Sequence, residues 1–586
     1  MEMYRNKTRH HRRVTVIFFL FLVVFIILTG RIFYVMILKG EFYSAKAQEL
    51  HERERMVKAA RGRLLDRNGV VIGDNSVVCT VSVVHNQIED PEEVVRILSK
   101  ELELSEESVR KKVAKYSALE KIQSNVDLET GKRIREYQLA GVKVDEDYKR
   151  FYPYEEIGSK VLGFTGGDNQ GIIGLEVMYD SYLQGKAGTI LTVTDARGVE
   201  IDSEAENRLE PVRGADLRLT LDWNIQKYAT QLCELAMEKH KAERVSMIVM
   251  NPQNGEIYAM ADVPEFDLNN PYDTGDFVAT DPEEYQAYLN GIWRNGCIND
   301  TYEPGSTFKI ITAAAGLEEG VVSLQDSFSC PGYIVVEDRR IRCHKTNGHG
   351  AETFTQGIMN SCNPVFISVG LRLGVDRYYH YFTQFGLFER TGIDLPGEAG
   401  TIMHRPENMG PVELATCAFG QSFQITPIQL MTTVSELVNG GRRVTPHLAM
   451  EVLNEDGSVR ETFQYSERDG MVSEETSVLL RELLEKVVSE GTGKNAYVEG
   501  YTVGGKTATS QTLPRSSGKY IASFLGFAPA EDPQVIAMVV IHEPKGTYYG
   551  GQIAAPVIQN LYENILPYLE EMNYNETGTK LPKECE

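Results

Sequence analysis

From Val14 to Leu28 every position except Thr15 is apolar, and apolar residues resume from Ile32 to Leu38. A run of that length reaches the roughly 20 residues needed to cross a bilayer. Arg31, near its outer end, has a stem long enough to carry its charge to the interface. Beyond this run the pattern becomes mixed. Residues from about 40 to 60, including Tyr43 to Glu54, are charged and predict a helix leaving the membrane. Asn68-Gly69, between Leu64-Leu65 and Val70-Val71-Ile72, predicts a hairpin turn. Residues 90–140 are rich in Glu, Lys and Arg, with Val94, Val95, Ile97 and Leu98 at helical spacing, and predict a small helical insert. From Arg150 to Asp180 the pattern predicts short strands and turns, punctuated further on by Gly185, Gly188 and Gly198. Asp216 to Asp222 alternates with period two, as a strand does, and a helix is predicted from Trp223 to about Lys241. Ser246–Met250 and Glu256–Met260, joined through Asn254-Gly255, predict a second hairpin. These shifts place a boundary near residue 215, with a stalk-like domain before it and a larger α+β domain after it. Residues 572–586 are polar, with Gly578 and Pro582, and predict a disordered tail.

At 586 residues the chain has room for two or more cores. A formal net charge of −23 argues against a nucleic-acid partner and favours solubility. Arg5, Lys7, Arg9, Arg12 and Arg13, opposed only by Glu2, precede the apolar run. That bias places the N-terminus in the cytoplasm and the rest of the chain outside. The rival, a cleaved signal peptide, has an apolar core of only ~7–15 residues, and the small residues Ala45-Lys46-Ala47 lie well beyond this run. Eight cysteines do not make a disulfide scaffold in a chain this long. Cys330 and Cys343 flank a turn-like, partly basic stretch from Gly332 to Arg342; a disulfide and two reduced thiols stand as alternatives. Cys343-His344 and His349 lack a second ligand pair at zinc spacing, so no metal site and no cofactor is expected.

Candidate chemistry starts at Glu303-Pro304-Gly305-Ser306-Thr307-Phe308-Lys309. Residues at i and i+3 share a helix face, so the Ser306 hydroxyl and the Lys309 amine would project together. Pro304-Gly305 suits a turn before a helix start, and Ile310, Ile311 and Ala313 to Ala315 suit a buried helix after it. A serine in a first turn lies beside free N–H groups and the positive end of the dipole. A lysine one turn on can take the hydroxyl proton if it is held neutral. Alone, the same pattern fits a helix cap with a solvated lysine. Two companions follow in order, Ser361-Cys362-Asn363 and Lys506-Thr507-Ala508-Thr509. Singly they read as a turn and a strand end. The ordered set S-x-x-K, S-x-N, K-T-G marks penicillin-binding proteins and class A β-lactamases, and here Ala508 replaces the usual glycine.

With these motifs, the chain resembles a class B penicillin-binding protein of the Gram-positive division or sporulation type. The likeness extends to Arg61-Gly62 with Asp66-Arg67-Asn68-Gly69, Arg150-Phe151-Tyr152-Pro153, Gly174-Leu175-Glu176 and Gly420-Gln421. It implies an α+β fold: a cytoplasmic basic tail (1–13), a transmembrane anchor (14–38), an elongated non-catalytic pedestal of the dimerisation type (39–215), a transpeptidase domain of the serine β-lactamase-like kind with an antiparallel sheet flanked by helices (216–571), and the tail 572–586. It further implies that Ser306 is acylated by D-Ala-D-Ala stem peptides or by β-lactams. Lys309 would be the base, its pKa lowered by burial and nearby positive charge, while Ser361 relays a proton and Asn363 holds Lys309 and substrate. Lys506, Thr507, Ala508 and Thr509 would receive the terminal carboxylate, and the backbone N–H groups of Ser306 and Thr509 would form the oxyanion hole. The Ala508 methyl is expected to point away from the substrate face. Implied partners are lipid-linked peptidoglycan precursors, a membrane glycan polymerase of the shape, elongation, division and sporulation (SEDS) family, and division or sporulation proteins. A carboxypeptidase or β-lactamase on the same fold, an idle wall-synthesis scaffold and a β-lactam sensor are the alternatives.

Overall fold

Strict alternation builds the central sheet. In Arg244–Met250, Val245, Met247 and Val249 enter one hydrophobic cluster while Ile248 and Met250 enter another. Val535–His542 divides the same way: Val535, Ala537, Val539 and Ile541 against Ile536, Met538 and Val540. A strand buried on both faces needs helices on both faces. Trp223–His240 and Ala555–Thr577 cover the first, and Lys309–Glu318, Asn363–Gln384 and Pro427–Val438 contribute to the second. The five strands are antiparallel, in the order Ile257–Val263, Arg244–Met250, Val535–His542, Tyr520–Ala528, Gly504–Gln511. The last of these is an edge, and it carries the K-T-A-T motif. This is the α+β, helix-flanked antiparallel sheet expected above.

This computed structural model describes residues 2–42, 52–117, 119–193 and 207–577. It falls into two compact units that do not part at residue 215. One comprises Met1–Ala60, Val77–Lys149 and Lys186–Val212; the other comprises Arg61–Ser76, Arg150–Gly185 and Arg213–Glu586. The reason is a buried charge cluster within the second unit. Arg61, wholly buried, donates to Glu176 Oε2 (2.5 Å), Asp180 Oδ1 (2.7 Å) and the carbonyl oxygens of Asn169 and Glu176. Glu176 also accepts from Arg150 Nε (2.7 Å) and Tyr152 Oη (3.1 Å). Three segments far apart in sequence are thereby tied together. Removing one member of such a set leaves the others charged and dry. Arg61→Ala should therefore cost about 3–5 kcal/mol, read by urea unfolding of the detergent-solubilised chain; a loss below ~1 kcal/mol would mean that Glu176 is solvated instead.

In the first unit, Val94, Val95, Leu98, Val109, Val113, Ile122 and Ile134 form a small core with Cys79, Val81 and Val83. Residues 90–140 are not wholly helical: Glu120–Val126 is a strand between the helices Pro91–Glu101, Glu106–Val113 and Leu128–Glu136. Its Ile122 and Val126 are buried with three polar residues, Gln123 to Asn125, between them, a mixed pattern that charge richness obscured. The helix expected over residues 40–60 is also corrected. Glu52–Val57 is a strand paired with Gly188–Val193, and 43–51 lie outside the described residues. Gly198 lies outside them too.

Three further expectations meet the second unit. The stretch from Arg150 to Asp180 holds the short helices Ser159–Leu162 and Gly174–Met178 rather than a series of strands. The Asn68-Gly69 turn is present, with Gly69 at φ +85° and Leu64–Leu65 antiparallel to the strand starting at Val71. The tail begins later than expected, because the terminal helix runs to Thr577; residues 578–586 lie outside the described ones. At the other end of the chain, Glu2–Phe33 is helical, and Arg12–Leu38 is long and apolar enough to cross a membrane.

Candidate active site

Gly305–Phe308 form a 3-10 turn that runs into the helix Lys309–Glu318. In a 3-10 turn residues i and i+3 eclipse, so Ser306 and Lys309 align more closely than on an α-helix. Gly305 N donates to Gly420 O at 2.9 Å, and Thr307 Oγ1 donates to Pro304 O at 2.7 Å. Gly420 has φ +86°, and a Cβ there would lie 2.0 Å from Gly305 O, so only glycine admits this approach. The S-x-x-K motif marks Ser306 but not the role of Gly420, whose only signal in the sequence is the Gly420-Gln421 pair, which carries no chemistry by itself.

Burial grades the site. Ser306, Asn363 and Thr509 are half-buried, whereas Lys309 and Lys506 are wholly buried. The hydroxyl is open to a substrate while the amines are dry. Lys309 Nζ donates to Ser361 O (2.7 Å), Ser361 Oγ (3.2 Å) and Asn363 Oδ1 (2.7 Å). Ser361 reaches this position in a left-handed conformation, φ +52°, between the helices Phe354–Met359 and Asn363–Gln384. For a non-glycine residue this is strain of order 1–3 kcal/mol. Burial lowers the Lys309 pKa to about 8, against upward pulls from Cys343, Cys362 and Glu352. Burial, the largest cause, sets that lowering. The neighbouring Lys506 is pushed well below its ordinary range, first by burial and then by the charge of Lys309.

On the edge strand Gly504–Gln511, side chains alternate. Thr507 Oγ1 donates to Thr492 Oγ1 (3.4 Å), and Thr509 Oγ1 accepts from Gly550 N (3.0 Å). The Ala508 methyl points opposite to these hydroxyls and lies 3.6 Å from where a Cβ on Gly305 would sit. Ala508 has no positive φ, so alanine meets no backbone penalty here. Ala508→Gly should keep penicillin acylation within about threefold and cost about 0.5–1 kcal/mol of stability, read by stopped-flow labelling and thermal unfolding. A tenfold change in labelling would show instead that the methyl sets the position of Ser306.

A second cluster adjoins the first. Cys330, Cys343, His349 and Cys362 place one ligand atom each within 4.8 Å of one another. All three cysteines are buried free thiols, so Cys330 and Cys343 are not bridged. This corrects the expectation that Cys343 and His349 lack partners. The spacing is Cys-x12-Cys-x5-His-x12-Cys, and only paired hairpins bring such distant residues together. A search for short-spaced ligand pairs passes over it.

The comparisons with known proteins agree with this geometry. Residues 245–563 match the penicillin binding protein transpeptidase domain, and 56–219 match the penicillin-binding protein dimerisation domain. The chain is 41% identical to Stage V sporulation protein D of Bacillus subtilis, over 93% of this chain and 84% of that protein. It is 27% identical to peptidoglycan D,D-transpeptidase MrdA of Acinetobacter baumannii, over 95% of this chain and 88% of the relative. Penicillin Binding Protein 2X from Streptococcus thermophilus shares the fold at a TM-score of 0.71 and 21% identity, covering 88% of this chain and 80% of that one. With both family domains in order and the three motifs gathered at one site, the chain belongs to the class B penicillin-binding proteins, the peptidoglycan D,D-transpeptidases.

Proposed function

We propose that Ser306 is the nucleophile of this transpeptidase and that Lys309 is its general base. The observation that carries this is the dry Lys309 amine, held by Ser361 and Asn363 one 3-10 turn from a solvent-reachable hydroxyl. Ser306 Oγ attacks the carbonyl between the last two D-alanines of a stem peptide and passes its proton to neutral Lys309. The N–H groups of Ser306 and Thr509 receive the oxyanion. In support, Thr509 O lies 3.7 Å from the would-be Cβ of Gly305, and a strand residue aims its C=O and N–H the same way. Ser361 returns the proton to the departing D-alanine, and Asn363 orients the substrate amide. The terminal carboxylate binds at Lys506, Thr507 and Thr509. Its negative charge offsets the burial that depresses the Lys506 ammonium. An amine from a second peptide then takes the acyl group, forming the cross-link and freeing Ser306.

The rest of the chain fits a membrane-tethered enzyme. Residues 14–38 form the anchor, with residues 1–13 in the cytoplasm and the dimerisation-type pedestal and the transpeptidase domain outside. A glycan polymerase of the SEDS family supplies the strands, and the likeness to a sporulation protein favours spore-wall synthesis. The deciding experiment gives the detergent-solubilised protein a D-Ala-D-Ala peptide and a labelled D-amino acid. Exchange of the label into the peptide, blocked by penicillin, is expected. Release of D-alanine without exchange would make the protein a carboxypeptidase, and a fluorescent fusion at the side wall rather than the forespore would overturn the spore-wall assignment.

A further inference from the structure

The thiol cluster lies where the chain crosses itself three times. Ser327–Cys330 pairs with Gly350–Thr353, setting Cys330 opposite Gly350. Tyr333–Val336 pairs with Arg339–Arg342, which brings Cys343 back so that its N donates to Gly332 O at 2.9 Å. Cys362 enters from the turn before the helix Asn363–Gln384. The loops are drawn tight: a Cβ on Gly348 would lie 2.2 Å from Cys330 O, and one on Gly332 would lie 2.0 Å from Thr346 O. Cys330, Cys343 and Cys362 are at most 2% exposed, and the His349 side chain is 6% exposed.

The distances suit a tetrahedral ion. With metal–sulfur bonds of about 2.3 Å and metal–nitrogen bonds of about 2.0 Å, ligand atoms around a tetrahedron are roughly 3.5–3.8 Å apart. Cys343 Sγ and His349 Nδ1 are 3.7 Å apart, and the whole set lies within 4.8 Å. Three thiols and an imidazole form a soft donor set that selects zinc over magnesium or calcium. A buried carboxylate also adjoins the cluster. Glu352 is buried, its Oε1 has no hydrogen-bond partner among the described residues, and that oxygen sits 3.8 Å from His349 Nδ1. A cation held among the three thiols would lie beside this carboxylate oxygen and offset its buried charge.

We propose that Cys330, Cys343, His349 and Cys362 bind one zinc-class divalent ion, which pins the turn carrying Ser361 and Asn363. Cys362 is the residue between those two, and both accept hydrogen bonds from Lys309. All four coordination positions are filled by protein, so the ion is structural. The ligands are positioning residues for the acylation site.

The test uses the full chain, purified in detergent under reducing conditions without a histidine tag. Metal analysis should find one zinc per chain, and substitution with cobalt(II) should give the absorption of a tetrahedral thiolate complex. Cys330→Ser and Cys343→Ser should each lower occupancy at least tenfold and slow penicillin acylation while Ser306 still takes one label per chain. The cobalt spectrum of the unmutated protein decides the matter even if a variant fails to fold, and it is independent of the transpeptidase assignment. A metal-free protein that gives no cobalt thiolate band, or one isolated with a Cys330–Cys343 disulfide, would overturn the proposal. Normal acylation in a zinc-free variant would remove the positioning role.

Discussion

Ser306→Ala should abolish covalent labelling by penicillin and leave the fold intact. The substitution removes one half-buried hydroxyl from a turn whose backbone is held by Gly420 and by the Thr307 cap, so its stability effect should stay within about 0.5 kcal/mol. Chemistry should suffer far more. Deleting the nucleophile of an acyl-transfer site typically costs about 10⁴–10⁶-fold, because the remaining groups can only orient substrate. The readout is mass spectrometry of the intact chain after incubation with a β-lactam: one adduct on the unmodified protein, none on Ser306→Ala, with equal unfolding temperatures. An adduct on the variant would place the nucleophile elsewhere.

Penicillin acylation should rise with pH and level off above about 8. In the proposed role Lys309 would accept the Ser306 proton only when its amine is neutral, and burial brings its pKa down from 10.5 to about 8. Below that value the protonated fraction dominates, so each pH unit lost should slow acylation about tenfold. The groups facing the amine are Cys343, Cys362 and Glu352, which pull its pKa up, and Lys506, whose own ammonium Lys309 disfavours. The largest cause is burial, which persists whether or not an ion sits on the thiols. Lys309→Arg keeps a cation but removes the base; it should lower the rate about 10²–10⁴-fold and erase the inflection near 8. A profile with its inflection near 10, or one unchanged in the arginine variant, would assign the base to another group.

The periodic elements were legible because their signal is local. Alternation in Arg244–Met250 and Asn254-Gly255 turn chemistry suffice for that hairpin, and Trp223–His240 announces its start with Asp222, whose side chain caps two N–H groups. Failures came where charge masked geometry. Glu52–Val57 reads as a charged helix, yet it becomes a strand by pairing with Gly188–Val193, some 130 residues on. Propensity is a weak prior, and pairing overrides it.

The sequence by itself determined the family, the three motifs and their order, the membrane-length apolar run and the alternation of the sheet. Each is a pattern in consecutive or closely spaced residues. Only the tertiary structure decided what those residues do to one another. Lys309 is a dry, hydrogen-bonded amine rather than a solvated cap because it is wholly buried, with Ser361 and Asn363 as its partners. Arg61, Glu176 and Arg150 join segments that a cut at residue 215 would separate from the rest of their compact unit. Cys330, Cys343, His349 and Cys362 converge across 33 residues counted inclusively from 330 to 362. Burial and convergence depend on which distant surfaces exclude water together, and no window of sequence contains that.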